Sequence, residues 1–460
     1  MDTISIEDAY QHQIETTNFI NSNPRCLITS DPGTGKTRAV LDAIDPELGA
    51  TLVLAPLSIL EASWVEDIMK FTPTLNYGVA YAKNRKKIFE DTSYDIVITN
   101  FEAVNFLHKN PLLLSRFNTI VLDEFTAFKN REAKRSKNLK SIIHHFDNRI
   151  AMSGTPNSNT ILDLWHPALL IDDGKRLGQR FWSFRHQVCT PKFNGFANEW
   201  IDKPGIEAVV ANQLSDITLR HAIEDCMDLP DNSVRTMYTK LSPAVQKMYN
   251  ILAEESVLYT KQGTINAVNA AVRVKKLLQL VSGAVYNQDG ESTLLHSERY
   301  ELVMQLVSQR KHSLVAYNWK HERDALIAIA EREKISYDLI DGSVPAHKRK
   351  DIVQRFQAGQ IQVLFAHPQS TSHGLTLTKA STAIWCSPTY SAEQFQQFNR
   401  RIHRAGQTQK TETILITAKD TWEKHVYKKL DGKLGKMENL LHILSEINNV
   451  KKQTTNTATV

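Results

Sequence analysis

The segment Ser30-Asp31-Pro32-Gly33-Thr34-Gly35-Lys36-Thr37 constrains the fold of this chain more than any other stretch. It follows the apolar run Cys26–Thr29 and precedes residues 38–44, whose apolar positions recur at helical spacing, so it is predicted to connect a strand to a helix. Such a turn directs backbone N–H groups at a phosphate, and the start of the helix adds partial positive charge. The full phosphate-loop signature has a glycine where this chain has Ser30.

The residues of this loop have separate predicted tasks. The backbone of Gly33, Thr34 and Gly35 is expected to surround the phosphates of a nucleotide. Lys36 is expected to place a charge near the β and γ phosphates, and Thr37 to offer its hydroxyl to Mg²⁺. A glycine-rich turn without a ligand is the alternative, and the loop alone does not distinguish a kinase from a transporter or a motor.

The composition is that of a soluble globular protein with two or three domains: 460 residues, 42% hydrophobic and 23% charged. No apolar run approaches the length of a membrane span, and the first residues lack a signal-peptide pattern, so we expect an intracellular, cytoplasmic protein without a membrane partner.

The four cysteines are widely spaced, which favours free thiols over a zinc site or disulfides. A net charge of +5 permits a polyanionic partner without requiring one.

Apolar runs follow the loop at intervals that fit alternating strands and helices in a parallel sheet. They are Leu52–Ala55, Asp95–Ile98, Thr119–Leu122 and Arg149–Met152. Each run ends in polar or turn-forming residues. Because ligands of such sheets bind at the carboxyl ends of the strands, these ends are the candidate functional edge.

Two adjacent carboxylates, Asp123 and Glu124, follow the third of these runs. Asp123 is predicted to hold Mg²⁺, directly or through water, and Glu124 to polarise the water that attacks the γ phosphate. An exposed acidic turn is the alternative.

Upstream, Gln13 lies on a predicted amphipathic helix over residues 10–20, and its amide offers both a donor and an acceptor to adenine.

Several motifs of the first half resemble those of the Swi/Snf group of superfamily 2 helicase-like ATPases. They are Leu52–Leu60 followed by Trp64, Glu66 and Phe71; Asp123-Glu124 with Lys129-Asn130; and Met152–Pro156 with Asn159. The family normally has a small residue and a histidine after the acidic pair, where this chain has Phe125 and Thr126.

In the middle of the chain, the regular succession of strand-like apolar runs stops. Aromatic residues accumulate between residues 161 and 220 and interleave with Lys175, Arg176, Arg180 and Arg185, which favours the core of a helical insertion over a groove that stacks bases. The cation-rich run over residues 129–140 fits either a solvated helix face or a phosphate contact.

Strand-like runs resume in the second half and predict a second parallel sheet without a phosphate loop. They are Ser313–Tyr317, Tyr337–Ile340, Ile361–Phe365, Ala383–Cys386 and Thr413–Ile416. The run Gln397–Gln407 is very similar to the last motif of the same family. There Arg401 and Arg404 lie three apart, which predicts one helix face and one common target. By match to the motif, Arg404 is the arginine finger, Arg401 its companion, and Gln397 a nucleotide contact.

The resemblance implies further contacts. Asp341–Ser343 with Arg349, Phe356 and Gly359 resembles an intermediate motif, and Ser370–Ala380 resembles the fifth, in which Gly374 is assigned to the nucleotide. The family usually has two glycines and an asparagine where this chain has Ser372, His373 and Thr376. The implied nucleic-acid contacts are Pro56, Leu57, Thr99, Asn100, Thr155, Asn318, Ser370 and Thr371.

The resemblance implies an α/β fold with two RecA-like parallel-sheet lobes and helical insertions. The predicted boundaries are 1–160 for the first, ATP-binding lobe, 161–222 for a helical insertion, 223–440 for the second lobe with a helical segment over 241–283, and 441–460 for a helix end and a disordered tail.

The implied activity is that of an ATP- and Mg²⁺-dependent DNA helicase or translocase acting on duplex, forked or branched DNA in replication, recombination or repair, as in a minimal bacterial or phage member of the group. An RNA-dependent helicase of the same fold and a non-catalytic clamp that binds ATP and DNA remain as alternatives.

Overall fold

The computed structural model of the chain describes residues 9–157, 159–193, 198–226, 229–261, 267–287, 289–371 and 375–457. The chain divides into two compact units. The first unit comprises residues 1–192, 200–228 and 433–460, and the second unit comprises residues 193–199 and 229–432.

A parallel sheet of seven strands forms the centre of the first unit, in the order β3-β4-β2-β5-β6-β1-β9. The strands of this half of the chain are β1 Arg25–Ile28, β2 Ala50–Ala55, β3 Tyr77–Ala80, β4 Ile96–Asn100, β5 Phe117–Asp123, β6 Asn148–Met152, β7 Cys189–Phe193, β8 Asn198–Asp202 and β9 Thr218–Leu219. Strands β7 and β8 form a separate two-stranded sheet. The sequence did not predict β3 or β9, which lie at the two edges of the large sheet.

Helices cover both faces of this sheet. They are α1 Gln11–Ser22, α2 Lys36–Asp42, α3 Glu66–Phe71, α4 Arg85–Glu90, α5 Ala103–Lys109, α6 Lys134–Ile142, α7 Trp165–Asp172, α8 Phe181–Val188, α9 Ile206–Leu214 and α10 Ile223–Cys226. Successive residues of β2 point to opposite faces, so Leu52 and Leu54 enter one apolar cluster while Val53 and Ala55 enter another. Burial on both faces explains why the strand sequences are continuous apolar runs.

The predicted helical insertion, residues 161–222, contains α7, α8 and α9 together with β7, β8 and β9. Trp165 and Phe184 are buried in the apolar cluster of the first unit, whereas Trp182 is 54% exposed. The aromatic residues of the insertion therefore join the core of the first unit and also form an exposed surface.

The second unit has a six-stranded parallel sheet in the order β10-β17-β16-β13-β15-β14. Its strands are β10 Asn232–Thr239, β11 Ala284–Tyr286, β12 Ser292–Leu294, β13 Ser313–Ala316, β14 Tyr337–Ile340, β15 Val363–Ala366, β16 Thr382–Trp385 and β17 Thr411–Ala418. Strands β11 and β12 pair antiparallel, outside the large sheet. The predicted α/β class with two parallel-sheet lobes is confirmed.

The helices of this half are α11 Pro243–Lys261, α12 Ala267–Ser282, α13 Glu298–Ser308, α14 Lys320–Glu333, α15 Ala346–Gln357, α16 Pro368–Thr371, α17 Ala392–Asn399 and α18 Glu423–Thr457. Residues 433–457 of α18 belong to the first unit, where Leu440 and Leu444 join the apolar cluster. The helix continues through much of the segment for which the sequence predicts a helix end and a disordered tail. No helix in the described ranges is long and apolar enough to cross a membrane.

A buried ion pair stabilises the second unit. Arg299 Nη2 donates to Glu423 Oε2 at 2.7 Å, and Arg299 Nη1 donates to the Cys386 carbonyl at 2.7 Å. The same carboxylate accepts from the backbone N–H of Ala418 at 2.7 Å. Each charged group makes a further hydrogen bond to the backbone, although Arg299 Nε and Glu423 Oε1 have no hydrogen-bond partner among the described residues. The pair ties α13 and the start of α18 to β17.

Candidate functional site

The predicted phosphate loop connects β1 to α2. Gly33 has a φ of +90° and Gly35 a φ of +78°, a backbone region that favours glycine. A Cβ atom on Gly35 would lie 2.0 Å from Gln13 Nε2. The backbone conformation therefore favours glycine at this position, and a larger residue would also displace the Gln13 side chain.

The loop is fastened by residues about 190 positions later in the sequence, at the end of β9. Arg220 Nη1 donates to Asp31 Oδ1 at 2.8 Å and to the Thr29 carbonyl at 3.0 Å. The backbone N–H of His221 donates to Ser30 Oγ at 3.0 Å. This last bond explains the serine in place of the signature glycine, because the hydroxyl accepts a backbone N–H. The sequence analysis missed the partnership of Asp31 and Arg220, for which an acid inside the phosphate loop is the only local signal.

Lys36, the first residue of α2, donates from Nζ to the carbonyls of Ser30 at 2.8 Å and of Asp31 at 3.0 Å. Burial lowers the pKa of Lys36, and the nearby carboxylates of Glu124 and Asp123 oppose that shift. The fold thus brings together the loop lysine and the two carboxylates, which are far apart in sequence.

Asp123 is the last residue of β5 and is buried. Its Oδ2 accepts from Trp64 Nε1 at 2.9 Å, a partner that the sequence analysis did not identify. Burial, and then the charge of Glu124, raise the pKa of Asp123 to about 7, while the Trp64 hydrogen bond and Lys36 act in the opposite direction. A buried carboxyl with this pKa gains from a cation next to it, which fits the predicted Mg²⁺ ligand.

Glu124 has a φ of +58°, a left-handed conformation that is unfavourable for a residue with a Cβ atom. Ser153 Oγ donates to Glu124 Oε2 at 2.9 Å, and the Thr155 N–H donates to Ser153 Oγ at 3.1 Å. A Cβ atom on Gly154 would lie 2.7 Å from Pro32 Cδ of the loop. The segment after β6 therefore contacts both the acidic pair and the phosphate loop, although Phe125 and Thr126 replace the residues usual in the family.

Thr37 and Asp123 are the predicted metal ligands. A hydroxyl and a carboxylate, completed by phosphate oxygens and water, form the all-oxygen set that Mg²⁺ prefers. Within the described part of the chain, no cluster of three His, Cys, Asp or Glu side chains could hold a metal ion. The residues present thus fit an ion that is bound mainly through the nucleotide.

Gln13 lies on α1 against the loop. Its Nε2 donates to the Thr34 carbonyl at 3.4 Å, and its Oε1 accepts from the Tyr10 N–H at 3.1 Å. His12 Nε2 is 2.8 Å from the same Thr34 carbonyl, and the exposed Tyr10 ring stacks on His12. Gln13 is placed beside the nucleotide loop as expected, and its contact with adenine stays a prediction.

In the second unit, Arg401 and Arg404 converge as predicted, but the helix predicted to carry them is wrong. Helix α17 ends at Asn399, whose Oδ1 accepts from Trp385 Nε1 at 3.0 Å, and the chain then turns so that Ile402 is buried. Within this turn, Nη1 of Arg401 and Nη1 of Arg404 both donate to the Leu375 carbonyl, at 3.3 and 3.2 Å.

Gln397 lies on α17 and is only 2% exposed. Its Nε2 has no hydrogen-bond partner among the described residues. A buried amide donor without a partner is costly, which is consistent with a ligand contact. Gly374, the other predicted nucleotide contact of this half, lies outside the described residues.

Several of the predicted nucleic-acid contacts have side chains that already form hydrogen bonds within the chain. Thr99 Oγ1 donates to the Ala80 carbonyl, Arg85 donates to Asn100 Oδ1, and Asn318 Nδ2 donates to the Ser387 carbonyl. Pro56, Thr155 and Thr371 are buried, Ser370 is half-buried, and Leu57 is exposed. Their contacts with nucleic acid stay predictions.

Arginines cover the aromatic surface of the insertion. The Arg131 guanidinium lies 4.3 Å from the Phe181 ring centroid, and the Arg185 guanidinium lies 4.3 Å from Trp182 and 3.7 Å from Trp200. Because the chain's own cations already stack on these rings, the arrangement favours a structural role over base stacking.

Comparison with known families and proteins gives a consistent result. Residues 12–283, more than half of the chain, match the family model of the SNF2-related domain, and residues 298–406 match the helicase conserved C-terminal domain.

Protein p41 of Acyrthosiphon pisum secondary endosymbiont phage 1 is 28% identical over 95% of this chain and 98% of its own length. An uncharacterized ATP-dependent helicase of Mycoplasma genitalium is 23% identical over 87% of this chain, and the chromodomain-helicase-DNA-binding protein 1-like of Danio rerio is 23% identical over 89%. The chain spans only 38% and 41% of the lengths of these last two relatives.

The buried carboxyl of Asp123 predicts a pH-dependent stability. In the folded chain its pKa is raised from 3.8 to about 7, so the stability it contributes is fully present below pH 3.8 and is lost as the pH rises through about 7. Relative to the Asp123→Asn variant, the wild-type chain should therefore lose up to ~4 kcal/mol of unfolding free energy between pH 4 and pH 8. Denaturant unfolding without nucleotide or Mg²⁺ measures this difference.

The matched control is Glu61→Gln, which replaces an exposed carboxylate of the same unit. This variant retains Asp123, so its unfolding free energy should fall between pH 4 and pH 8 as that of the wild-type chain does. A constant difference between wild-type and Asp123→Asn across the same range would show that Asp123 is not a buried titrating group.

Proposed function

The chain belongs to the SNF2-related domain family, and we propose that it is a DNA-dependent ATPase that uses ATP hydrolysis to translocate along DNA or to remodel it. The similarity to an ATP-dependent helicase and to a chromodomain-helicase-DNA-binding protein supports this proposal. ATP is the substrate, Mg²⁺ the accompanying ion and DNA the partner.

One observation carries the proposal: the first unit holds Lys36, Asp123 and Glu124 in one electrostatic cluster at the phosphate loop. Nucleotide hydrolysis needs these three groups together, because phosphate binding, metal binding and activation of water are separate tasks. A glycine-rich turn without a ligand would have no need for a buried Asp123 and a half-buried Glu124 next to a lysine.

Different residues of the chain carry out different parts of the reaction. Lys36 leaves the loop carbonyls for the phosphates of the bound nucleotide, while the backbone around Gly33 and Gly35 donates to them. Glu124, held by Ser153, orients the attacking water and accepts its proton. Mg²⁺, when held by Thr37 and Asp123, neutralises charge on the phosphate oxygens.

Arg404 is proposed, from its match to the last motif, to stabilise the charge that develops on the transferred phosphoryl group, with Arg401 beside it. Both guanidinium groups donate to the Leu375 carbonyl, so one backbone oxygen fixes the positions of both. Gln13 and Gln397 are proposed nucleotide contacts of the two units.

We further propose that the DNA is duplex, forked or branched, and that the reaction serves replication, recombination or repair. Similarity to a phage protein over nearly the whole length of both chains supports this setting and suggests the host cytoplasm as the location. The proposed DNA contacts are the eight residues named for this role above, at the carboxyl ends of the strands. They are Pro56, Leu57, Thr99, Asn100, Thr155, Asn318, Ser370 and Thr371.

Replacement of Lys36 tests the separation of ATP chemistry from DNA binding. Lys36→Ala should abolish ATP turnover, because the cation at the phosphates is lost, and should leave the affinity for duplex DNA within about twofold of the wild-type value. Steady-state hydrolysis and fluorescence anisotropy with a labelled duplex measure the two properties. Loss of DNA binding in this variant would contradict the separation.

Replacement of Arg404 tests its proposed role as the arginine finger. Arg404→Ala should keep the affinity for ATP but lower kcat by roughly 10³ or more, because only the transition state carries the charge that the guanidinium stabilises. Arg400→Ala, four residues before it, serves as the control and should retain most of the activity. Unchanged turnover in Arg404→Ala would remove this residue from the mechanism.

The form of the DNA is tested with the wild-type chain. ATP hydrolysis should be stimulated more by a fork and a four-way junction than by a linear duplex of equal length at the same salt concentration. Activity on linear duplex alone would contradict the proposed branched substrate, and equal or greater stimulation by matched RNA would favour an RNA-dependent helicase.

A further inference from the structure

A recess of about 410 Å³ lies on the second unit. Its lining includes Thr378 and Lys379 of the segment Ser370–Ala380 and Gly406 and Gln407 of the run Gln397–Gln407, but none of the residues assigned above to ATP, Mg²⁺ or nucleic acid. Lys311 and His312, which precede β13, and Ser381, which precedes β16, are among the residues that line it. The recess therefore opens at the amino-terminal ends of these parallel strands. The motif residues Asn318 and Ser370 follow β13 and β15 and lie at the carboxyl ends.

The lining of this recess is cationic. It includes Lys311 and Lys379 and no Asp or Glu side chain. Both lysine side chains are exposed at the recess, and neither forms a hydrogen bond or an ion pair within the described part of the chain. Two positive charges without a carboxylate between them repel each other unless an anion is present.

An acidic residue beside the recess is already paired with arginines. The Glu412 N–H donates to the Ser381 carbonyl at 2.8 Å, which places Glu412 beside the recess. Its carboxylate is engaged by Arg235 on one oxygen and by Arg310, at 2.8 Å, on the other. Glu412 therefore does not line the recess with a free carboxylate.

The other polar groups of the lining are suited to the same ligand. His312 Nδ1 donates to the Ile361 carbonyl at 2.9 Å, which holds the ring in the wall of the recess. The side chains of Ser381, Thr408 and Gln409 add hydroxyl and amide donors. A phosphate group, with several acceptor oxygens, matches this combination of point charges and neutral donors.

The walls of the recess are fixed in advance. Gln407 Nε2 donates to the carbonyls of Thr378 at 3.1 Å and of Ala380 at 3.0 Å, and Gln357 Oε1 accepts from the Lys379 N–H at 3.0 Å. Gly359 has a φ of +77°, and a Cβ atom there would lie 3.1 Å from Lys379 Cε. The backbone that carries Lys379 is thus ordered before a ligand arrives, which reduces the entropic cost of binding.

We propose that this recess binds a phosphate group, supplied either by the backbone of a nucleic acid or by free inorganic phosphate. Lys311 and Lys379 provide the charge, and the hydroxyl and amide groups of the lining provide directed hydrogen bonds. The site reads no base, because it contains only groups that recognise an anion.

The test uses the full chain with both lysines replaced, Lys311→Gln/Lys379→Gln. The control is Lys410→Gln, which removes an exposed lysine that pairs with Asp231 at the same end of the sheet and does not line the recess. Since all three side chains are exposed, both variants should fold like the wild-type chain, which circular dichroism checks.

The first measurement uses inorganic phosphate. Addition of phosphate should slow hydrogen exchange at least threefold in peptides covering residues 375–381 and 406–410 of the wild-type chain and of Lys410→Gln. The double variant should lose this protection. Because the double variant and Lys410→Gln both keep the loop of the first unit, the difference between them separates the recess from phosphate bound at that loop.

The second measurement uses a linear DNA duplex and rests on the proposed function. If a backbone phosphate occupies the recess, the double variant should bind the duplex several-fold more weakly, and the slope of log K against log salt should decrease by about 1. If the wild-type chain fails to bind the duplex, the proposed function fails, and the phosphate measurement alone decides the present proposal.

The two measurements distinguish the sources of the phosphate. A decreased salt slope supports the nucleic-acid backbone, whereas loss of phosphate protection with an unchanged slope supports the free ion. The proposal is overturned if the double variant behaves like Lys410→Gln in both measurements.

Discussion

The ion pair between Asp31 and Arg220 is the interaction on which the rest of the first unit depends. The phosphate loop contains two glycines in left-handed conformations. Because glycine restrains the backbone little, the loop keeps one conformation only through contacts with residues outside it. Both side chains of the pair are buried, and each makes further hydrogen bonds, to the Ile223 N–H and to the Thr29 carbonyl. Such a pair is costly to desolvate but strongly directional, so it holds the loop in one geometry.

From this fixed loop, contacts extend to the two carboxylates that are proposed to act in catalysis. Pro32 packs against Gly154, and the neighbouring Ser153 donates to Glu124, whose backbone is itself left-handed. A strained residue persists only where its surroundings determine its position, so Glu124 depends on the same set of contacts that fixes the loop. Asp123, beside it, is buried with a raised pKa and gains from a cation. These contacts support the proposal that the site binds a nucleotide together with a metal ion.

Sequence periodicity predicted most of this architecture, because strands buried on both faces are continuous apolar runs. It missed β3, whose burial alternates, and β10, an edge strand in which Val234 and Tyr238 are exposed. The spacing of Arg401 and Arg404 indicated their convergence but gave the wrong local structure, because the end of α17 is set by tertiary contacts of Asn399 and Ile402.

Contacts between distant residues were beyond the reach of sequence patterns. Nothing near Asp31 identifies Arg220 as its partner, and nothing near Asp123 identifies Trp64, since both pairs form only when the strands assemble. The cationic recess of the second unit is a similar case, because Lys311 and Lys379 belong to separate segments with no shared motif.

The most direct test of the account is steady-state ATP hydrolysis by the full chain with and without linear duplex DNA, at one salt concentration and with Mg²⁺ in excess. The account predicts slow hydrolysis by the chain alone and at least a tenfold increase in kcat on addition of DNA. Hydrolysis that does not respond to DNA, or no hydrolysis under either condition, would contradict it.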